Sequence, residues 1–246
     1  MFKFIKSFVN GDTGSDGEKI TSNIIKHLDD NYLMLNDITI PKYDDANNQI
    51  GTSQIDHVIF DKKHGQIIVI ETKNYAGIVR GDISGDVFTV DYNTPHTTWD
   101  NKKTFKVNNP VRQNYGHIKA LQKLIENQTG NKVPLQAFTS YVMMVGENNI
   151  YITDGYKDKK VYPSTQHLFH KDVVSDDFAD VINKIKNPTV NSKIDNNNME
   201  NIVDLISDIN MTKNGFRNII KTQINKWKHV NNLKVEIESK KKFKLS

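Results

Sequence analysis

Two β-like segments decide the fold of this chain: Gln54-Ile55-Asp56-His57-Val58-Ile59-Phe60 and Gln66-Ile67-Ile68-Val69-Ile70-Glu71-Thr72-Lys73. The stretch between them is turn-like, because Gly65 can supply the positive φ that hairpin turns need. If Lys63 and His64 form the loop, counting outward places Asp56 opposite Glu71 in an antiparallel pair. Lys73 lies two residues beyond Glu71 and therefore points to the same face of the sheet.

Two carboxylates that face each other across a strand pair lie about 4.5–5.5 Å apart at Cβ and repel each other. A hard divalent cation held by both would remove that repulsion, and Mg²⁺ prefers carboxylate, carbonyl and water ligands. Such an ion polarises a phosphoryl oxygen and acidifies a bound water. Lys73 would hold the attacking water or stabilise charge on the phosphate. The pattern favours metal-assisted hydrolysis, and the alternative is a solvated hairpin end with scattered charges.

Four segments in the same order resemble the successive motifs of the nuclease-related domain, or NERD, family: Gly17-Glu18, Gln54-Ile55-Asp56-His57-Val58, Ile70-Glu71-Thr72-Lys73-Asn74-Tyr75-Ala76-Gly77 and Asn109-Pro110-Val111-Arg112-Gln113-Asn114. The resemblance runs from about Gly11 to about Val145. Four motifs in order make it specific, whereas the Glu-Thr-Lys triplet alone would not. The family belongs to the PD-(D/E)xK, or restriction-endonuclease-like, superfamily. Ile55 replaces the superfamily's usual proline, which puts no catalytic group in doubt.

The resemblance implies a nuclease core that depends on Mg²⁺ or Mn²⁺. By position, Asp56 and Glu71 match the metal ligands, and Lys73 matches the catalytic lysine. Glu18 matches a carboxylate of the first helix, and Gln113 matches the glutamine of the fourth motif. Each of these assignments rests on the position of that residue within the matching motif.

In the resulting hypothesis, the carbonyl of Thr72 completes the metal site, and Glu18 is a further ligand that acts through a water. Lys73 organises the nucleophile with help from Gln113, and in-line attack by water leaves a 5′-phosphate. Glu18 has an alternative role, since it has capping-box spacing from Ser15. Gln113 has one as an ordinary hydrogen-bonding helix residue. Structural roles are assigned to four of the eight histidines, His27, His57, His64 and His117.

Two basic regions are candidates for contact with nucleic acid. The loop 93–108 mixes aromatic residues with lysines, among them Lys102 and Lys103, a combination that suits base stacking and phosphate contact. Residues 211–246 carry ten Lys and Arg against two Glu, a local net charge of +8. On a helix over 216–231 we expect a basic strip beside an apolar face, made of Arg217, Lys221 and Lys228. The alternatives are a surface loop with one anchoring Trp and a solvated tail.

Composition bounds the remaining function classes. The chain has no cysteine, which excludes disulfides, thiolate zinc sites and cysteine nucleophiles and is compatible with a reducing cytoplasm. Its hydrophobic fraction of 37% and charged fraction of 25% are typical of a soluble protein. No stretch approaches the ~18 apolar residues of a membrane span. The amphipathic start, 1–9, is too short for a signal peptide. We therefore expect a cytoplasmic protein.

The expected fold is α/β, a restriction-endonuclease-like core with a mixed central β-sheet flanked by helices in the order αβββαβ. Its helix after Asn109, a good N-cap, ends before Gly130, and the buried strand 138–145 then pairs in parallel through this crossover. A polar loop over 44–52 and a hairpin around Ser84-Gly85 are also predicted. We expect a nuclease domain over 1–187, a linker over 188–198 and a basic helical C-terminal segment over 199–246.

The sequence favours a metal-dependent nuclease that hydrolyses DNA. Three alternatives stay open: a catalytically silent DNA-binding module with a nuclease-like fold, RNA as the substrate, and an adaptor whose C-terminal helix recruits another protein. A homodimer would let two sites cut both strands. The chain has no nucleotide-hydrolase motif, so any helicase or motor partner would be a separate chain.

Overall fold

The computed structural model describes residues 13–92, 103–146, 148–155, 166–189 and 193–209, together with Ile224, Trp227 and Lys228. The elements are, in chain order, α1 (Thr13–Ser22), β1 (Tyr32–Tyr43), β2 (Gln49–Asp61), β3 (Gln66–Asn74), β4 (Gly77–Asp82), β5 (Val87–Tyr92), β6 (Lys103–Asn108), α2 (Pro110–Thr129), β7 (Phe138–Val145), β8 (Asn148–Thr153), β9 (Val174–Ser175), α3 (Phe178–Lys186) and α4 (Asn196–Ile209). Short 3₁₀ turns occur at Asn23–His27, Leu135–Ala137, Gln166–Leu168 and Lys171–Val173.

A five-stranded mixed sheet forms the centre of the fold, in the order β1-β2-β3-β7-β9. The first three strands are antiparallel, and β7 pairs in parallel with both β3 and β9. Helix α2 connects β6 to β7 and packs its buried face against β1, β3 and β7. The chain thus has the predicted restriction-endonuclease-like α/β core, with the β4–β6 segment inserted before α2.

The two faces of this sheet bury different side chains, as alternation along a strand requires. On β3, Ile67 and Val69 join a core with Ile118 and Leu121 of α2. Ile68 lies on the other side with Ile24, which follows α1. Residues 71 and 73 therefore extend the row that faces α2, and residue 72 extends the row that faces α1.

A second, four-stranded sheet was not predicted. Its order is β6-β5-β4-β8, and its core residues Val79, Phe88 and Val90 pack with Val142 and Met144 of β7. The hairpin around Ser84-Gly85 is confirmed, since β4 pairs antiparallel with β5. The loop prediction for 93–108 is wrong for Lys103–Asn108, because pairing with β5 makes this segment strand β6. Residues 93–102 lie outside the described residues.

Two further local predictions are wrong. The polar loop over 44–52 is shorter, because β1 continues to Tyr43 and β2 begins at Gln49. The polar side chains at the start of β2 are exposed, while its backbone pairs with β1. The first helix begins at Thr13, so Ser15 lies inside it and does not cap it. Ile20 of this helix is 41% exposed.

The C-terminal part of the chain packs on the same core. Helix α4, which begins inside the expected linker, contributes Met199 and Val203 to the cluster formed by α2 and the central sheet. Ile224 and Trp227 are buried there too. The Trp227 indole Nε1 donates a hydrogen bond to the Asn31 carbonyl at 3.2 Å.

Lys62 is buried beneath this segment. Its Nζ donates to Glu200 Oε1 at 2.6 Å and lies 4.1 Å from the centroid of the Trp227 ring. A buried ammonium needs such compensation, because transfer of an unpaired charge into the protein interior is costly. The contact therefore ties the β2–β3 turn to both α4 and Trp227. No described helix combines the length and the apolar composition that a bilayer crossing requires.

Asn109 links the two sheets at the start of α2. Its Oδ1 accepts hydrogen bonds from the Val111 and Arg112 amides at 3.0 and 3.4 Å, which confirms the predicted N-cap. Its Nδ2 donates to the carbonyls of Asp82, Ile83 and Gly85 in the β4–β5 turn at 3.3, 3.1 and 2.8 Å. The predicted helix end is confirmed as well, because Gly130 has a left-handed φ of 71°.

We predict that Asn109→Ala lowers the free energy of unfolding by about 2–4 kcal/mol, because both the cap and the donors to buried carbonyls are lost. Asn109→Ser keeps a capping oxygen and loses only the amide donors, so its effect should be smaller. Urea unfolding of both variants measures the difference. Equal loss in the two variants would contradict a capping contribution.

Candidate active site

The β2–β3 pairing has the predicted register. Partners run from Asp61 opposite Gln66 to His57 opposite Ile70, so that Asp56 and Glu71 come next on the two strands. At this point the Asp56 carboxylate accepts a hydrogen bond from the Thr72 amide at 2.9 Å. The side chain thus binds the neighbouring strand just beyond the last backbone pair, which fixes the carboxylate beside β3.

Glu71 lies at the centre of the site and is 1% exposed. Its Oε1 accepts a hydrogen bond from Lys73 Nζ at 2.6 Å. Its Oε2 lies 3.3 Å from His117 Nε2, but the two atoms are not aligned for a hydrogen bond and both are buried without one. The structure therefore brings Asp56, Glu71 and Lys73 together and leaves one buried carboxylate oxygen free to accept.

His117 is the residue that sequence reasoning missed, since it was given a structural role. It reaches Glu71 from α2, and its Nδ1 hydrogen-bonds Ser53 Oγ of β2 at 2.7 Å. The sequence contained one indication of a role for His117, since it lies one helical turn after Gln113, which was a candidate site residue. That spacing does not reveal how α2 docks on the sheet.

The charges of the site influence one another. Burial and the neighbouring Glu71 carboxylate raise the pKa of Asp56 to about 6, against the lowering effect of the Thr72 amide and of Lys73. For Glu71, burial alone would raise the pKa, but His117 and Lys73 outweigh it and the net pKa is lowered. For Lys73, burial alone would lower the pKa, but the ion pair with Glu71 outweighs it and the net pKa is raised.

Asp56 and Glu71 fit a hard cation better than a soft one. Carboxylate oxygens, a strand carbonyl and water are the ligand types that Mg²⁺ prefers. A cation would also occupy the unsatisfied Glu71 Oε2 and relieve the repulsion that raises the pKa of Asp56. Within the described parts of the chain, no three His, Asp or Glu side chains are grouped closely enough to hold a metal by themselves. The Thr72 carbonyl and waters would have to complete the coordination.

Helix α1 packs on the opposite face of the sheet, where it fixes Thr72. A Cβ on Gly17 would lie 2.9 Å from Val145 Cγ2 and 3.3 Å from Thr72 Cγ2, so only glycine allows this close approach without movement of its neighbours. Thr72 Oγ1 donates to Thr21 Oγ1 at 2.9 Å. Glu18 lies on this helix, is half-buried and does not form a three-carboxylate group with Asp56 and Glu71 among the described residues. Its role as a water-mediated ligand stays a prediction.

His57 lies on the face away from Asp56, as predicted. Its two ring nitrogens contact Asn36 Oδ1 at 2.7 Å and Thr72 Oγ1 at 3.2 Å. Burial lowers its pKa to about 4, so the imidazole is neutral near pH 7. Its contacts buttress Thr72 from behind the site.

The accessory candidates are less closely connected to the site. Gln113 is exposed on α2, and no hydrogen bond joins its side chain to Lys73 or Glu71 in the described part of the molecule. Lys103 opens strand β6. Lys228 forms an ion pair with Asp204 of α4, which partly neutralises its charge. Lys102, Arg217 and Lys221 lie outside the described residues. The assigned roles of these residues remain predictions.

Comparisons with known proteins agree with the motif order. The family model described as "Nuclease-related domain" matches residues 13–145. An uncharacterized protein from Bacillus anthracis is 33% identical over 126 residues, which cover 50% of this chain and 52% of the relative. The chain thus spans about half the length of the curated relative that it matches. No solved structure matches this chain.

The matched region contains Asp56, Glu71, Lys73 and His117, together with both helices that position them. It also covers more than half of the 246 residues. The chain belongs to the nuclease-related-domain family.

Proposed function

We propose that this protein is a metal-dependent nuclease that hydrolyses phosphodiester bonds of DNA. The supporting observation is the group formed by buried Glu71 and half-buried Asp56 and Lys73 at the ends of adjacent strands, with Lys73 Nζ 2.6 Å from Glu71 Oε1. Buried groups with shifted pKa values and a specific charge partner are typical of active sites. Family membership supports a nuclease-related role, and metal dependence and the DNA substrate are part of the proposal.

Asp56, Glu71 and the Thr72 carbonyl would hold Mg²⁺ or Mn²⁺. When bound, the ion would supply Lewis acidity toward a phosphoryl oxygen and would lower the pKa of a water molecule that could serve as the nucleophile. The Lys73 ammonium, already held against Glu71, donates hydrogen bonds and carries the positive charge that the phosphate needs as it gains negative charge. A 5′-phosphate product follows from the family resemblance.

His117 acts as a positioning residue in this scheme. It lies between Ser53 of β2 and Glu71 of β3, so it holds the metal-binding carboxylate from the α2 side. Outer partners of this kind orient ligands and are part of what makes a site bind metal well. Glu18 and Gln113 have accessory roles in the proposal, as a water-mediated ligand and as a contact to the nucleophile.

We predict that Lys73→Ala reduces cleavage of supercoiled plasmid by at least 100-fold in Mg²⁺, the range seen when one charge-stabilising donor is removed from an active site. DNA binding in a gel shift and the circular dichroism spectrum should be largely unchanged. Lys119→Ala is the matched control, because Lys119 is an exposed lysine of α2 whose Nζ hydrogen-bonds Gln122. Retained cleavage in Lys73→Ala would refute the assigned role.

The same assay separates the proposal from its alternatives. Metal-dependent cutting that a chelator abolishes supports the nuclease. A salt-sensitive gel shift without any cutting supports a silent DNA-binding module. Parallel reactions with RNA of the same sequence test the other polymer.

A second prediction concerns stability without metal. The pKa of Asp56 is raised from an ordinary value near 4 to about 6, so its ionised form destabilises the fold. This penalty is absent below the unfolded-state pKa, grows between pH 4 and 6 and is complete above pH 6. Asp56→Asn should therefore raise the free energy of unfolding at pH 8 by about 2–3 kcal/mol, since one pKa unit corresponds to about 1.4 kcal/mol.

Thermal unfolding in a chelator at pH 8 and pH 4.5 measures this difference, which should be much smaller at the lower pH. Added Mg²⁺ should raise the melting temperature of the native protein and have little effect on Asp56→Asn, because ligands stabilise the state they bind. A Mg²⁺ shift of equal size in both proteins would place the ion elsewhere.

A further inference from the structure

Tyr75 extends the row of side chains that forms the candidate active site. It lies two residues beyond Lys73, which itself lies two residues beyond Glu71, and it packs with Met144 and Val111 on the side of the sheet that α2 covers. The charges of Lys73 and Glu71 both act on its hydroxyl, so this group lies near the reacting region. The ring is half-buried, with one part still in contact with solvent.

The segment that carries Tyr75 lies directly against the end of β5. Gly77 has a left-handed φ of 102°, and a Cβ there would lie 2.2 Å from the Asp91 carbonyl oxygen and 3.2 Å from Tyr92 Cα. Glycine at this position thus allows the chain to pass next to Tyr92. Tyr75 and Tyr92 pack on the same hydrophobic cluster.

Phe105 continues this line of aromatic rings to the edge of the second sheet. Its ring centroid lies 5.3 Å from that of Tyr92 at an interplanar angle of 88°. Phe105 pairs with Val90, whose side chain is buried, so the phenyl group is on the face of the second sheet that packs on the core and yet is 49% exposed. A planar ligand can stack on a large apolar ring that is exposed and held in place by a second ring.

We propose that Phe105, Tyr92 and Tyr75 form a stacking surface for the unpaired bases of a nucleic-acid strand whose backbone runs through the candidate active site. This inference rests on the proposed function and specifies its substrate class. Tyr75 is next to the reacting phosphate and supplies a hydroxyl, while Phe105 presents its open ring farther along the strand.

The chemistry favours a single strand over a duplex. Bases stack on aromatic side chains with a gain of about 1–3 kcal/mol each, whereas the bases of a duplex are already stacked on one another. The same edge strand carries Lys103, which pairs through its backbone with Tyr92 and lies two residues before Phe105. Lys103 is therefore the basic residue of this strand that we assign to the phosphate contacts that single-strand binding requires.

The test is a binding measurement that does not depend on cleavage. The affinity of the full chain is measured by fluorescence anisotropy in a chelator, for labelled oligothymidylate of about 12 nucleotides, within the range of single-strand site sizes. The comparison ligand is an oligomer of the same length built from abasic deoxyribose phosphates. The two probes carry the same charge, and only the first has bases.

We expect Phe105→Leu to weaken binding of oligothymidylate by about 5- to 20-fold, the lower part of the range for one stacked base, and to leave the abasic oligomer within about twofold. Phe105→Trp should retain the native affinity. Tyr151→Leu is the matched control, because Tyr151 is 58% exposed on β8, at the opposite edge of the same sheet, and should change neither affinity.

The proposed stacking surface is contradicted if the native protein binds the two oligomers equally. It is also contradicted if Phe105→Leu weakens the binding of both oligomers by the same factor, or weakens the binding of neither. An unchanged affinity would indicate that the exposed ring contacts a protein. Because no step needs hydrolysis, a protein that fails to cut DNA and still shows the base-dependent loss would contradict the proposed nuclease and support this surface. If the native protein cleaves DNA but Phe105→Leu binds both oligomers with native affinity, the proposed nuclease is supported and the stacking surface is contradicted.

Discussion

One electrostatic constraint governs the candidate active site. The carboxylates of half-buried Asp56 and buried Glu71 lie close together at the ends of two adjacent strands. The protein supplies one amide, one ammonium and one imidazole to the pair, from Thr72, Lys73 and His117. His117 and Lys73 lower the pKa of Glu71, whereas burial and the Glu71 charge keep the pKa of Asp56 raised despite its hydrogen bond from the Thr72 amide. A protein interior does not keep such an arrangement for stability, since an apolar pair would be more favourable there.

The compensating groups come from elements distant in sequence, which is why the whole core is needed to form the site. Strand β3 lies between antiparallel β2 and parallel β7, so its end is held from both sides. Helix α2 brings His117 to one face, and α1 holds Thr72 from the other through Thr21. The Thr72 backbone and the two carboxylates are thereby held on adjacent strands of the central sheet.

Local chemistry made much of this predictable from the sequence. The turn at Gly65 and the two-residue alternation determined that Asp56, Glu71 and Lys73 would share a face, and Asn109 and Gly130 determined where α2 begins and ends. The apolar strand at 138–145 required burial on both faces, and the crossover made its pairing parallel. In each of these cases the deciding interactions lie within a few residues or a single connection.

The features that were not predicted depend on contacts between segments distant in sequence, which local sequence patterns do not determine. Residues 103–108 became a strand only because β5 offers a free edge, so the second sheet was missed. His117 reaches Glu71 because of the angle at which α2 docks, which its helical periodicity does not determine. For Glu18 and Gln113, family resemblance gave a role, and among the described residues Glu18 does not form a three-carboxylate group with Asp56 and Glu71.

The burial of Lys62 ties the family-matched region to the rest of the chain. The family match ends at residue 145, but the ammonium of Lys62 pairs with Glu200 and is covered by Trp227, which lie far beyond it. A fragment cut at the family boundary would retain Asp56, Glu71 and Lys73, but it would lose both partners of Lys62 and expose the core surface that α4 covers. We therefore expect such a fragment to be less stable and more prone to aggregate than the whole chain.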